Sequence, residues 1–243
     1  MGFNAPMTIA GWAAQVNAEI LSGNVIAQLT RKGAPFIYAY GVPTMDLKTA
    51  TVSYVSPEFL ITNPLMAQLG RFYGFPTWST AGASDSKILD TQALAQVSLS
   101  LYNCALSGIN LVHDIGFLDI GVTASFELVA ICDELISFLE RALSGFEVTD
   151  ETLALDVISK VGIGGHFLAE EHSRRHLKEY WNPSLLDRQG RKAWLEGGGK
   201  DLNKRARERV KEILEGHEVP PLPRDVQEEL NNILKRAEAE LLG

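Results

Sequence analysis

A chain of 243 residues with 46% hydrophobic and 21% charged side chains is apolar enough to bury a core of its own, which excludes an intrinsically disordered tail. Its two cysteines, Cys104 and Cys132, lie in apolar helical patterns without metal-ligand spacing, so a disulfide scaffold is not expected and a reducing compartment fits. The net charge of −8 disfavours nucleic acid as a partner, and no apolar run reaches the roughly 18 residues of a membrane span.

Apolar residues recur at helical spacing from Thr8 to Leu29, with Gly33 as the stop. Pro35 to Tyr40 reads as a short strand closed by Gly41. Pro57 to Tyr73 returns to helix, with proline in the first turn where its missing N–H costs nothing. A second strand is expected at Phe75 to Thr80, then a polar loop from Ala81 to Lys87, a helix from Thr91 to Ser107, a third strand at Ile109 to His113 and a long helix from Val122 to Leu143. Gly33, Gly74 and Gly108 each stand between a helix and the next strand, where a left-handed C-cap requires positive φ. Beyond residue 148 the chain reads as helices at Thr149 to Val161, Asp201 to Gly216 and Arg224 to Leu242, joined by glycine-rich and proline-rich stretches.

Strands alternating with helices predict an α/β fold with a parallel sheet. The segments Gly41–Ser56, Ala81–Asp90 and Asp114–Gly121 then follow the strands and share the carboxyl end, where such folds bind ligands. Three strands are too few for a closed (β/α)8 barrel, which takes about 250 residues. The charge is also uneven: residues 81–169 carry three basic and twelve acidic side chains, whereas residues 170–243 carry fifteen of each. An acidic middle favours a cationic ligand where its carboxylates face a pocket, and is otherwise a solvated helix face.

No nucleotide-binding loop, nucleophile elbow or paired-cysteine zinc spacing is present. The glycines of Val161 to Phe167 follow a helix and open none. His172 and His176 stand four apart on one helix face, but the sequence signposts no third ligand, so a solvated face is the reading adopted and no metal is expected. His113, ending the third strand before Asp114, has the chemistry of an acid, a base or a positioning group, and equally that of a satisfied structural histidine. Asp85 has a similar standing, as ligand contact or as a turn cap. Tyr38, Tyr40, Trp78 and Phe117 gather at strand ends, and several aromatic faces around one point form a box for a quaternary ammonium. Core packing explains each of them singly.

The run Phe36 to Ala39, the segment Ser53 to Glu58, the stretch Gln68 to Pro76, the loop Gly82 to Lys87 with Asp90 and Gln92, and Glu151 to Ala154, Val161 to Leu168, Leu186 to Arg188 and Gly199 to Leu202 together resemble the trimethylamine methyltransferase family. The resemblance runs through nearly the whole chain but covers only the C-terminal half of a typical member. It implies a partial (β/α)8 TIM barrel at residues 1–148 and an α-helical cap or arm at 149–243. It further implies transfer of a methyl group from a methylated amine to the Co(I) corrinoid of a partner protein, with no cofactor bound tightly by this chain. Ala83 stands where family members acting on trimethylamine carry pyrrolysine, so the chain looks more like the branch that includes glycine betaine methyltransferases. On that resemblance Tyr38, Tyr40, Trp78 and Phe117 would cradle the ammonium, while Asp85 and His113 would position the rest of the substrate.

The other readings are a non-catalytic fragment or assembly module, and an unrelated amine-binding barrel with similar loops. Half a barrel leaves sheet edges and an apolar face to cover, so a homo-oligomer or a separate N-terminal half is expected as partner. A cytoplasmic location is expected, because the segment Met1 to Trp12 lacks the basic start of a signal peptide.

Overall fold

A computed structural model describes residues 1–41 and 43–242. Residues 1–209 form one compact unit and residues 210–243 a second.

The first unit opens with helix α1 (Ile9–Thr30), which buries Trp12, Ala13 and Val16. Three short strands follow at intervals: β1 (Tyr38–Ala39), β4 (Thr77–Thr80) and β5 (Leu111–His113). They form one parallel sheet in the order β1-β4-β5. Helices α2 (Pro57–Tyr73) and α3 (Thr91–Ser107) make the crossovers, as parallel neighbours require. Helix α4 (Phe126–Leu143) completes the set. The expected α/β architecture with a parallel sheet is therefore present, with strands two to four residues long.

Local chemistry explains the boundaries. Ser56 accepts a hydrogen bond from Phe59 N at the start of α2, Asp90 from Ala93 N at the start of α3, and Ser125 from Leu128 N at the start of α4. Helices α2 and α3 end in left-handed caps at Gly74 (φ 73°) and Gly108 (φ 72°). The expected third cap differs: α1 ends on extended Arg31, and Gly33 lies two residues beyond it with its N–H on Gln28 Oε1. Helix α4 begins at Phe126 instead of Val122, because Thr123 and Ala124 are drawn into a strand.

Two hairpins in the connecting loops have no period-two pattern to announce them. Strands β2 (Thr44–Asp46) and β3 (Thr51–Ser53) pair antiparallel in the first loop, and β6 (Phe117–Leu118) and β7 (Thr123–Ala124) in the third. The expected helix from Thr149 to Val161 is two pieces, α5 (Asp150–Leu153) and α6 (Leu155–Val161), broken at Ala154, whose φ is 47°. Helix α7 (Glu171–Arg175) runs into a 3-10 turn at His176–Glu179, and α8 (Arg191–Glu196) precedes α9 (Leu202–Gly216). The second unit holds the end of α9 and α10 (Arg224–Leu242). Among the described residues no helix is long and apolar enough to cross a membrane.

Close approach of α2 to the sheet depends on Gly70. A Cβ there would stand 2.2 Å from Thr77 Cγ2, inside any real contact. Gly70→Ala is expected to cost about 1–3 kcal/mol by overpacking. Adding Thr77→Ser, which removes the colliding methyl, should restore part of the loss in a urea unfolding series.

Candidate functional site

The register of the parallel sheet assigns side chains to faces. Tyr38 lies beside Thr77, and Ala39 beside Trp78, which lies beside Leu111; Thr80 lies beside His113. Successive residues alternate across a sheet, so Ala39, Trp78, Thr80, Leu111 and His113 share one face, opposite Tyr38 and Thr77.

Tyr38 and Tyr40 do point the same way, into the helices. Both are buried in a cluster with Trp12, Val16 and Met66. Tyr38 donates its hydroxyl to Asn17 Oδ1 at 2.8 Å, and Tyr40 donates to the carbonyl oxygen of Asn63 at 3.0 Å. Burial pushes the Tyr38 phenol up to about 12, with the neighbouring Tyr73 adding to the effect. It raises that of Tyr40 further. Both are neutral core donors, and the four aromatics do not form one box.

Trp78 stands on the other face. Its ring stacks on the imidazole of His113, with centroids 4.0 Å apart and planes 28° apart. Gly41 makes room for the indole, since a Cβ there would lie 3.3 Å from Trp78 Cζ3 and 3.2 Å from Thr80 Oγ1. His113 Nδ1 pairs with Asp114 Oδ1. Asp114 adopts φ 74°, a left-handed conformation that aspartate tolerates better than most residues. Among the described residues no protein group bonds His113 Nε2. The stack and its carboxylate sit at the carboxyl end of the sheet, with exposed Ala39 and half-exposed Leu111 on the same face.

The three loops at this end are tied together. Gly116 N donates to Gly82 O at 3.0 Å, Ser84 N to Phe117 O at 2.9 Å and Asp119 N to Ser86 O at 2.8 Å. Phe117 lies half-buried on β6, and no ring contact joins it to Trp78 or His113 among the described residues. Asp85 clamps the first loop to the second. Its carboxylate accepts from Ser53 Oγ at 2.5 Å, Tyr54 N at 3.2 Å and Gln96 Nε2 at 3.2 Å. A carboxylate offers about four acceptor positions, so most of its capacity is spent on the protein. Ala83, Ser84 and Ser86 are buried in the same loop. Neither Ser53 nor Gln96 carried a sequence signal for this role, because both pair with Asp85 across different elements.

Elsewhere in the first unit, Glu151 from α5 joins His172 and His176, with one ligand atom of each lying within 4.8 Å of the others. The sequence spacing gave no hint of this third group. Hydrogen bonds donated to the Glu179 carboxylate, and then to that of Glu151, hold the His176 imidazole above its usual range. A separate apolar cavity of about 430 Å³ opens between the β2–β3 hairpin and the first residues of the chain, lined by Gly41 and Met45 among others.

Comparison with known proteins concerns the chain as a whole. The family described as trimethylamine methyltransferase (MTTB) matches residues 1–242. The chain is 37% identical over 239 residues to the trimethylamine methyltransferase MttB of Desulfitobacterium hafniense (strain DSM 10664 / DCB-2), covering 98% of this chain and 48% of that protein. It is 37% identical over 242 residues to the enzyme of the same name from Methanosarcina barkeri (strain Fusaro / DSM 804), covering 100% of this chain and 49% of that one. It is 34% identical over 231 residues to a glycine betaine methyltransferase of D. hafniense (strain Y51), covering 94% and 48%. The chain spans about half the length of the curated relatives it matches.

Proposed function

The chain belongs to the trimethylamine methyltransferase family, and from that premise we propose that it holds a methylated amine of the quaternary, glycine betaine-like kind for transfer of one methyl group. The methyl acceptor is the Co(I) corrinoid of a partner protein, a second substrate of the reaction. The parallel sheet is read as part of a (β/α)8 barrel completed by strands this chain does not hold. The exposed Ala39 and half-exposed Leu111 on the Trp78 face support that reading.

The observation that carries the proposal is the Trp78–His113 stack beside Asp114. An indole face attracts a large, weakly hydrated cation through its quadrupole, by about 2 kcal/mol when water is excluded. The Asp114 carboxylate adds attraction of the same sign. Because its partner occupies Nδ1, the His113 ring is held with Nε2 available to the substrate's other end. Trp78, His113 and Asp114 thus bind and orient, fixing one methyl group in line with its acceptor. As that carbon leaves nitrogen, the C–N electron pair returns to the amine. The amine departs neutral, so no residue has to donate a proton.

Ala83 favours the quaternary branch. A methyl side chain forms no adduct with an amine, so the site relies on charge already carried by the substrate.

Trp78→Ala, assayed with the complementary half, the Co(I) corrinoid protein and a quaternary amine, is expected to lower kcat/KM about 10- to 30-fold, the equivalent of one desolvated cation–π contact. Trp78→Phe should lose less. Undiminished demethylation by both Trp78→Ala and His113→Ala overturns the assignment.

A further inference from the structure

We infer that His172, His176 and Glu151 form a binding site for a divalent metal ion of the zinc class, apart from the amine site. The two histidines are four residues apart across α7 and the 3-10 turn that continues it, so both imidazoles lie on one face. Their ring centroids are 4.4 Å apart. The third group comes from another element: Glu151 on α5, whose first turn is fixed by the reciprocal Thr149–Thr152 capping box. One ligand atom of each residue lies within 4.8 Å of the others. Tetrahedral ligands on zinc, at about 2.0–2.1 Å from the ion, lie roughly 3.3 Å apart, so the set closes once its ligand atoms draw together by about 1.5 Å at most.

The surroundings of His176 point the same way. Its Nδ1 pairs with Glu179 Oε1 at 2.5 Å, while its Nε2 faces Glu151 Oε1 at 3.3 Å. A carboxylate on one ring nitrogen with the other turned to the ligand cluster is the arrangement that fixes tautomer and orientation in histidine metal sites. His172 Nε2 faces the same segment, 3.0 Å from the carbonyl oxygen of Glu151. Arg175 Nη2 lies 3.1 Å from Glu151 Oε1 and competes for that carboxylate, but its side chain is 58% exposed and free to turn to solvent. Two imidazoles and a carboxylate, without thiolate, suit zinc, and three protein ligands leave a fourth position for water. The ion would clip α5 to the α7 turn.

The test uses the purified chain, stripped of metal with a chelator and titrated with Zn2+ by calorimetry, with Co2+ as an optical probe. One Zn2+ per chain is expected for the wild type and for His217→Gln. His172→Gln and Glu151→Gln should each weaken binding at least tenfold, about the scale of losing one group that supports a site. Zinc should raise the Tm of the wild type and fail to raise that of Glu151→Gln, and matching circular dichroism of the apo forms shows that all variants fold. Equal binding by every variant, or no wild-type binding at micromolar zinc, overturns the site and leaves a solvated ion-pair network.

Discussion

Glu134→Ala is expected to destabilise the first unit by about 3 kcal/mol. Glu134 lies on α4 with its residue 4% exposed, a rare position for a carboxylate. Its two oxygens accept from Ser184 N at 3.0 Å, Ser184 Oγ at 2.5 Å, Leu185 N at 2.9 Å and Leu186 N at 2.9 Å. Alanine would orphan three successive backbone N–H groups, each costing about 1–3 kcal/mol where water cannot replace the acceptor. Ser184 is exposed and Leu186 only partly buried, which places the total toward the lower end. The loss would also release Leu185, which packs with Ile131 and Ala206. Glu134→Gln keeps the shape but turns an amide NH2 toward donors, so it should recover only part of the stability.

The same residue gives a pH signature. Burial alone would raise the Glu134 carboxyl, but the hydrogen bonds from Leu186, Ser184 and Leu185 together outweigh it and leave the pKa below the usual range. A group depressed in the folded state stabilises at pH values above its unfolded pKa. That contribution fades as pH drops below the ordinary glutamate value and is lost once it passes the depressed one. Urea midpoints of wild type and Glu134→Ala should therefore differ most near neutrality and converge in acid, with an unchanged slope.

Asn63→Ala is expected to cost about 3 kcal/mol, read as a Tm lowered by roughly 6–12 °C for a chain of this size. Asn63 is fully buried on α2. Its Oδ1 accepts from Ser79 Oγ at 2.7 Å, and its amide donates to Asn103 Oδ1 at 2.8 Å and Cys104 Sγ at 3.3 Å. Tyr40 donates to its carbonyl at 3.0 Å and approaches Oδ1 at 3.3 Å. One side chain thus ties α2 to β4, to α3 and to the residue following β1. Truncation leaves Ser79 and Asn103 without their partner and opens a void. Asn63→Asp should be worse, because it sets a carboxylate against the Asn103 oxygen in a buried setting. Ser79 adjoins Trp78, so on the proposed function these variants should also weaken amine binding, whereas Glu134 variants should do so less.

Much of the element order was legible because its causes are local. Ser56, Asp90 and Ser125 open helices, and Gly74 and Gly108 close them, through bonds within a few residues. The hairpins at Thr44–Ser53 and Phe117–Ala124 escaped because their strands are only two or three residues long. Too few residues alternate there for a period to emerge. Within the candidate site, His113 and Asp114 were readable as neighbours in sequence, and Tyr38 and Tyr40 as sharing a face. That Trp78 lies on the opposite face was not readable, since it depends on Ala39 standing beside Trp78 in the sheet.

The sequence by itself determined where α2 and α3 start and stop, that the three strands between the helices run parallel, and the family to which the chain belongs. These follow from local hydrogen-bonding chemistry and from residue order. Only the tertiary structure decided that Tyr38 and Tyr40 serve the core while Trp78 meets His113, that Asp85 is held by Ser53 and Gln96, and that Glu151 joins His172 and His176. Each of those depends on strand register or on packing between elements distant along the chain, and a period read along one segment carries no information about what will lie across from it.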